Sequence, residues 1–116
     1  MIMLTIYHNP RCSKSRQTLA LIEAAKMPVT IVEYLKTPLD ETTIKHLLNL
    51  LGVTAIKMMR VKEVEFKEQN LANANEEQLI QAMVNTPKLI ERPIITNSAS
   101  AVIGRPPENV QTLFNS

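Results

Sequence analysis

The sequence predicts an α/β fold with a βαβ unit at its start, a helical block in its middle and a ββα unit at its end. Alternating or β-branched apolar segments occur near the two ends of the chain. The first two of them flank a segment with helical apolar spacing. The middle carries helix caps and an apolar stripe instead. Because 116 residues suit a single core, we expect one domain over residues 1–116, with a helical insertion at about residues 40–86.

The βαβ unit occupies the first part of the chain. Its first predicted strand is Met3–Tyr7, which Asn9-Pro10 ends. A helix is predicted over Ser13–Lys26, because apolar residues recur there at i, i+3 and i+4, and Pro28 limits it. Alternating β-branched residues predict a second strand at Val29–Tyr34. A strand, a helix and a strand within about 30 residues indicate a βαβ unit with parallel strands.

The helical block contains two well-marked helices. Asp40 is a suitable N-terminal cap for the first, and Gly52 is a suitable end. Asn75 followed by Gln78 is typical of a capping box, which predicts another helix over Glu76–Val84. The apolar stripe of the first helix consists of Ile44, Leu47, Leu48 and Leu51.

The ββα unit ends the chain. Short strands are predicted at Ile94–Thr96 and Ala101–Ile103. The four polar residues between them predict a hairpin, although the Asn-Gly signal of the tightest hairpins is missing. Pro106-Pro107 suits a helix start, and Glu108–Phe114 is predicted to be the last short helix.

Composition argues against several classes of partner. Thirteen basic and eleven acidic residues give a net charge of +2, and the chain has two Tyr, two Phe and no Trp. Both properties argue against nucleic-acid binding. No run approaches the roughly 20 apolar residues of a membrane helix, and no signal peptide is visible, so we expect a cytoplasmic protein without a membrane partner. We expect the charged run at residues 62–68 to be solvated.

Cys12 is the strongest candidate for chemistry. It is the only cysteine, so the chain cannot form an internal disulfide, and with two histidines it does not favour a metal site. It falls where the first strand passes into the first helix. A helix N-terminus lowers the pKa of a thiol there and also binds tetrahedral oxyanions. The alternative is a small buried hydrophobe, but the neighbours Arg11, Lys14 and Arg16 are basic.

Four further residues are candidates. His8 lies four residues before Cys12 and is suited either to proton transfer or to a structural place at the strand end. Arg60, Arg92 and Arg105 each adjoin apolar sequence. A guanidinium group is a planar fork of donors that matches a tetrahedral anion, although a single arginine is more often part of a surface ion pair. The Arg92-Pro93 bond precedes a strand, a position where either peptide isomer is found.

Four separated segments together carry a family resemblance: His8-Asn9-Pro10-x-Cys12-x-x-Ser15-Arg16, Arg60, Arg92-Pro93-Ile94 and Gly104-Arg105-Pro106. Their order and spacing resemble the glutaredoxin-coupled arsenate reductase family, in particular its short bacterial branch. The resemblance extends from Thr5 to about Phe114. It implies a thioredoxin-like fold, in which a mixed four-stranded sheet formed by βαβ and ββα halves carries a helical insertion between them.

The resemblance also implies a reaction. Cys12 would attack arsenate, and His8 would tune its reactivity. Glutathione, as co-substrate, would attack the adduct, and glutaredoxin would resolve it so that arsenite leaves; no bound cofactor is implied. The residues implied to bind the oxyanion are Arg60, Arg92 and Arg105. The residues implied to support the loop are Asn9, Ser15, Arg16 and Pro93.

Two other readings remain open. The same thiol could serve another oxyanion reductase or a thiol–disulfide reductase. Transcription regulators of the Spx type use this fold to contact RNA polymerase, often with a Cys-x-x-Cys redox switch. Here Ser15 stands at the second cysteine position, so that disulfide cannot form.

Overall fold

Four short strands form one mixed sheet in the computed structural model, which describes residues 3–114. They are β1 (Leu4–Tyr7), β2 (Val29–Val32), β3 (Ile94–Thr96) and β4 (Ala101–Ile103). Their order across the sheet is β2-β1-β3-β4. β1 and β2 are parallel, whereas β3 is antiparallel to both β1 and β4. The predicted α/β fold with a mixed four-stranded sheet is confirmed.

The described residues divide into two compact units. The first consists of those up to Thr37 and from Arg92 onward, and the second is Pro38–Glu91. The second unit therefore begins and ends close to the predicted insertion at about residues 40–86. The assignment of residues 1–116 to one domain stays a prediction. Among residues 3–114, no helix is long and apolar enough to cross a membrane.

The first unit contains the sheet and helix α1 (Ser13–Ala24). Its core is a cluster of buried aliphatic side chains from β1, α1, β3 and the last segment: Leu4, Ile6, Ile22, Ile95, Val110 and Leu113. That last segment, Pro107–Leu113, is a 3-10 helix. α1 ends two residues earlier than predicted, and Lys26 behind it adopts a left-handed backbone with φ of 58°. β2 ends at Val32, because the carbonyl of Glu33 accepts the N–H groups of a turn.

The second unit contains α2 (Glu41–Leu51), α3 (Val64–Glu68) and α4 (Glu76–Asn85). The Thr43 N–H donates to Oδ1 of Asp40 at 2.8 Å, and Gly52 ends α2 with φ of 69°. The capping box of α4 is present: the Gln78 N–H donates to Asn75 Oδ1 at 2.8 Å, and Gln78 Oε1 accepts the Asn75 N–H at 2.9 Å. These local signals were sufficient for both helix starts.

The expectation of a solvated charged run at residues 62–68 was wrong for the side chains of Glu63 and Glu65. The carboxylate of Glu63 pairs with Arg60 at 2.5 Å and with Lys88 at 3.6 Å, and its side chain is only 17% exposed. Glu65 also pairs with Lys88, at 3.3 Å. The cations, Arg60 and Lys88, lie outside residues 62–68. The burial of these carboxylates could therefore not be predicted from that segment alone.

Candidate active site

A tight turn joins β1 to α1. The Cys12 N–H donates to the carbonyl of Asn9 at 3.0 Å, and the Arg11 N–H donates to Asn9 Oδ1 at 3.0 Å. Nη1 of Arg16 donates to the carbonyl of Pro10 at 3.0 Å and ties the turn to the helix. An asparagine side chain that bonds its own backbone two residues later is a standard turn former. The turn holds Cys12 at the N-cap position of α1.

The thiol of Cys12 is nearly buried, at 9% exposure, in positively charged surroundings. Burial raises the pKa of the thiol, but several groups lower it, so the net pKa lies below the ordinary cysteine value. In order of effect, these groups are the N–H of Ser15, the guanidinium of Arg92, the N–H of Lys14 and the guanidinium of Arg105. The thiolate is the nucleophilic form of cysteine, so this environment favours reactivity.

His8 and Ser15 form a buried pair behind the turn. Nδ1 of His8 and Oγ of Ser15 share a hydrogen bond of 2.6 Å, and Oγ also accepts the Asn9 N–H at 3.1 Å. Burial lowers the pKa of His8, while Glu33 raises it and Arg16 lowers it, with a net shift downward. The lowered pKa favours the neutral form of His8. His8 is a hydrogen-bond partner of Ser15, and the sequence did not indicate this pairing.

Arg92 and Arg105 meet at one end of the sheet. Arg92 precedes β3 and Arg105 follows β4, and the pairing of Ile94 with Ile103 brings these two strand ends side by side. Nη1 of Arg105 donates to the carbonyl of Arg92 at 3.3 Å. Nε of Arg92 is buried and has no hydrogen-bond partner among residues 3–114. The sheet thus directs two guanidinium groups toward the thiol whose pKa they lower.

Gly104 permits close packing beneath these arginines. Its N–H donates to the carbonyl of Pro93 at 2.9 Å. A Cβ at this position would lie 2.7 Å from Oγ1 of Thr18 and 2.8 Å from Cγ of Pro93, distances that real side chains do not adopt. Thr18 was missed at the sequence level, although its helical phase places it one turn after Lys14, whose carbonyl it binds at 2.8 Å.

Asn109 is a second supporting residue that the sequence did not reveal. Its Nδ2 donates to the carbonyls of Ile103 and Arg105 at 3.1 and 3.2 Å, which fixes the chain on both sides of Gly104. The peptide bonds Arg92-Pro93 and Arg105-Pro106 are both cis. No local signal distinguishes Asn109 from any other asparagine in a short helix, so only the fold identifies it.

Arg60 belongs to the second unit. There its guanidinium pairs with Glu63, and its N–H donates to the carbonyl of Leu89 at 2.7 Å. The other predicted site residues all lie in the first unit. Besides Cys12 and His8, these are Asn9, Ser15, Arg16, Arg92, Pro93 and Arg105. The role of Arg60 at the site stays a prediction.

Comparisons with known proteins agree with the fold. The ArsC family model matches residues 7–113. A protein of Neisseria meningitidis named arsenate reductase is 42% identical over 114 residues, which cover 96% of this chain and 97% of that one. The protein YfgD of Escherichia coli is 54% identical over 108 residues, 90% of this chain and 91% of its own.

A solved structure gives the same result. The structure described as arsenate reductase from Vibrio cholerae superposes with a TM-score of 0.94 at 43% identity, covering 97% of this chain and 98% of that one. The match extends over both halves of the sheet and the segment between them. The resemblance read from four separated motifs is confirmed at the level of the family and its fold. By sequence and by structure, this chain belongs to the ArsC family.

Proposed function

We propose that this protein reduces arsenate to arsenite through the thiolate of Cys12. The observation that carries the proposal is the shared position of a nucleophile and an anion site. The thiol at the start of α1 lies in the field of two guanidinium groups, and one of these has a buried Nε without a partner in residues 3–114. A tetrahedral oxyanion beside the sulfur would satisfy that donor. Relatives named arsenate reductase support arsenate as the anion.

The first step is a substitution at arsenic. The Cys12 thiolate attacks the arsenic atom and a sulfur–arsenic bond forms. The bond from arsenic to one hydroxyl group breaks, and that group takes up a proton from solvent and leaves as water. Arsenic remains in its +5 state. Arg92 and Arg105 bind the remaining oxygens and stabilise their negative charge, and the family resemblance adds Arg60 to this role. Asn9, His8, Arg16 and Pro93 act as positioning residues for the turn and the thiol. Ser15 contacts the sulfur through its N–H, and its hydroxyl ties that end of the helix to His8.

The second step requires thiols from other molecules, because the chain has a single cysteine. Glutathione attacks arsenic and displaces a second water. A glutaredoxin thiolate then attacks the glutathione sulfur, a mixed disulfide leaves, and the electron pair of the broken arsenic–sulfur bond reduces arsenic to its +3 state. Water releases arsenite and regenerates Cys12. We place this reaction in the cytoplasm, where the thiol pools that it consumes stay reduced.

The regulator reading has less support. Ser15 stands where a second cysteine of a redox switch would be, and it is fully buried against His8. The Ser15 hydroxyl stabilises the turn, and the position supplies no second thiol. A thiol–disulfide reductase acting through the same Cys12 remains the second candidate, because a lowered thiol pKa promotes disulfide exchange as well as attack on arsenic.

The test couples arsenate reduction to NADPH consumption, with glutathione, glutaredoxin and glutathione reductase present. Cys12→Ser should abolish turnover. Arg92→Ala should lower kcat/KM for arsenate by about 10- to 100-fold, the value of one charge-assisted bond. Lys62→Ala, which removes an exposed cation in the second unit, is the matched control and should behave like the wild type.

A parallel assay separates the two candidates. Exchange with a small mixed disulfide of glutathione uses the thiol but no oxyanion, so Arg92→Ala should affect it much less than arsenate turnover. Equal losses in both assays would remove the oxyanion role of Arg92. A folded wild-type protein that turns over the disulfide but not arsenate would establish the second candidate in place of the first.

A further inference from the structure

A small groove adjoins the turn that carries Cys12. Its volume is about 260 Å³, and it is lined by His8 after β1, by Asn9, Pro10 and Arg11 of the turn and by Glu33, Leu35 and Lys36 after β2. All of these residues belong to the first unit. The chemistry proposed above uses none of the groups that follow β2. The groove therefore calls for its own interpretation.

We infer that this groove binds the glutathione molecule that attacks the Cys12 adduct. The inference rests on the proposed function, in which the second thiol must come from outside the chain. The expected ligand class is a short γ-glutamyl thiol peptide with two carboxylates and one ammonium group. The groove would fix the position of that peptide. Neither the single cysteine nor the oxyanion site specifies this position.

The charges of the groove complement those of the peptide. Arg11 and Lys36 supply two cations for two carboxylates, and Glu33 supplies one anion for one ammonium group. The net charge of these three groups is thus opposite to that of the ligand. Lys36 and Glu33 already pair at 3.4 Å, but the Lys36 side chain is 80% exposed. Exposed ion pairs contribute little to stability, so a ligand can replace the contact between Lys36 and Glu33 at low cost in free energy.

The groove also lies at a suitable place relative to the thiol. The Cys12 N–H closes the turn on Asn9, so the first three residues of the turn line the groove and the fourth is the nucleophile. A peptide held by Lys36 and Arg11, which line the same groove, would lie along this turn. Pro10 and the exposed Leu35 offer an apolar wall for the methylene groups of the peptide.

The sheet order separates the two reactants. β1 lies between β2 and β3, so the groove is formed at the ends of β1 and β2, whereas Arg92 and Arg105 flank β3 and β4. The oxyanion and the peptide would therefore approach Cys12 from opposite sides. This arrangement suits an attack on arsenic by a second thiol, because the incoming sulfur does not compete with the guanidinium groups for the same space.

Direct binding tests the groove without any turnover. S-methylglutathione, whose sulfur cannot react, is titrated into the wild-type protein and followed by amide chemical shifts. The shifts should concentrate on Arg11, Glu33 and Lys36. Lys36→Glu should weaken binding about five- to tenfold, and Lys62→Glu, with the same change in net charge, should not. A peptide with its glycine carboxylate esterified should bind more weakly.

Kinetics distinguish failure of the groove from failure of the proposed function. In the arsenate assay, Lys36→Glu should raise KM for glutathione five- to tenfold and leave KM for arsenate unchanged. With dithiothreitol, which carries no charge, it should match the wild type. Arsenate turnover with an unchanged glutathione KM in Lys36→Glu would overturn the groove and leave the function intact. Binding of S-methylglutathione in the groove without arsenate turnover would support the groove and overturn the function.

Discussion

At Cys12, burial and positive charge act on one thiol in opposite directions. Burial raises the pKa of the thiol, and the N–H groups of α1 together with two guanidinium groups more than offset that effect. A thiol that is buried together with hydrogen-bond donors and cations is shielded from water and still favours the reactive thiolate form. The same donors that stabilise the thiolate are available to an oxyanion, so substrate binding and activation of the nucleophile share their residues.

The lowered pKa predicts how fast Cys12 is alkylated at each pH. The rate of reaction with iodoacetamide should rise with pH to a midpoint below the value of about 8.5 for free cysteine, because only the thiolate reacts. Arg92→Ala removes a cation that favours the thiolate, so its midpoint should lie higher than that of the wild type. Lys62→Ala should leave the midpoint in place. A wild-type midpoint at or above that of free cysteine would contradict the activated thiol.

The residues of the site differ in how readable they were from the sequence. Cys12 could be predicted because a strand end and a helix start are both local patterns. The partnership of His8 with Ser15 could not, because it depends on which face of α1 turns toward the end of β1. Arg92 and Arg105 were candidates individually, and their proximity follows from the register of β3 with β4, which sequence patterns leave open.

At the scale of elements, the helix caps were predictable from the sequence, but the end of strand β2 was not. Asp40, Gly52 and the Asn75–Gln78 box are local signals, and α2 and α4 begin where these signals indicate. β2 is shorter than the predicted strand Val29–Tyr34, because the Glu33 carbonyl accepts the N–H groups of Lys36 and Thr37 at 2.9 Å. That early turn places Glu33 and Lys36 beside the end of β1, where they line the groove.

The close approach of Gly104, which follows β4, to Thr18 of α1 predicts a selective effect of substitution at Gly104. Gly104→Ala places a methyl group against Thr18 and Pro93, and relief of that overlap must move the helix or the strand that position the site. Overpacking of this kind costs about 1–3 kcal/mol. We expect the free energy of unfolding in urea to fall by this amount and arsenate turnover to fall with it.

Gly52→Ala is the matched control for that experiment. Gly52 has a left-handed backbone with φ of 69°, and a Cβ there would have no neighbour within 4 Å. The substitution should cost about 1–2 kcal/mol through backbone strain alone and leave kcat/KM for arsenate unchanged. If both variants lose activity in proportion to stability, the packing beneath Arg92 and Arg105 has no specific effect on the site.

At the scale of the whole molecule, the order of elements was predictable because each half of the sheet is built from neighbouring segments. β1, α1 and β2 follow one another, as do β3 and β4. The pairing of β1 with β3 joins segments more than 80 residues apart, as its partners Tyr7 and Ile94 show, and no local pattern indicates it. Arg60 lies in the second unit, so no local pattern relates it to Cys12.

The single cysteine of the chain predicts the stoichiometry of the reaction. Reduction of arsenate takes two electrons, which a pair of thiols supplies as it forms a disulfide, and each chain has one thiol. Mixed with excess arsenate and no other thiol, the protein should therefore release no arsenite, as measured by chromatography with arsenic-specific mass detection. Glutathione with glutaredoxin should restore release, except in Cys12→Ser. One arsenite per two chains, together with a disulfide between two Cys12 residues, would instead show that a second copy supplies the resolving thiol.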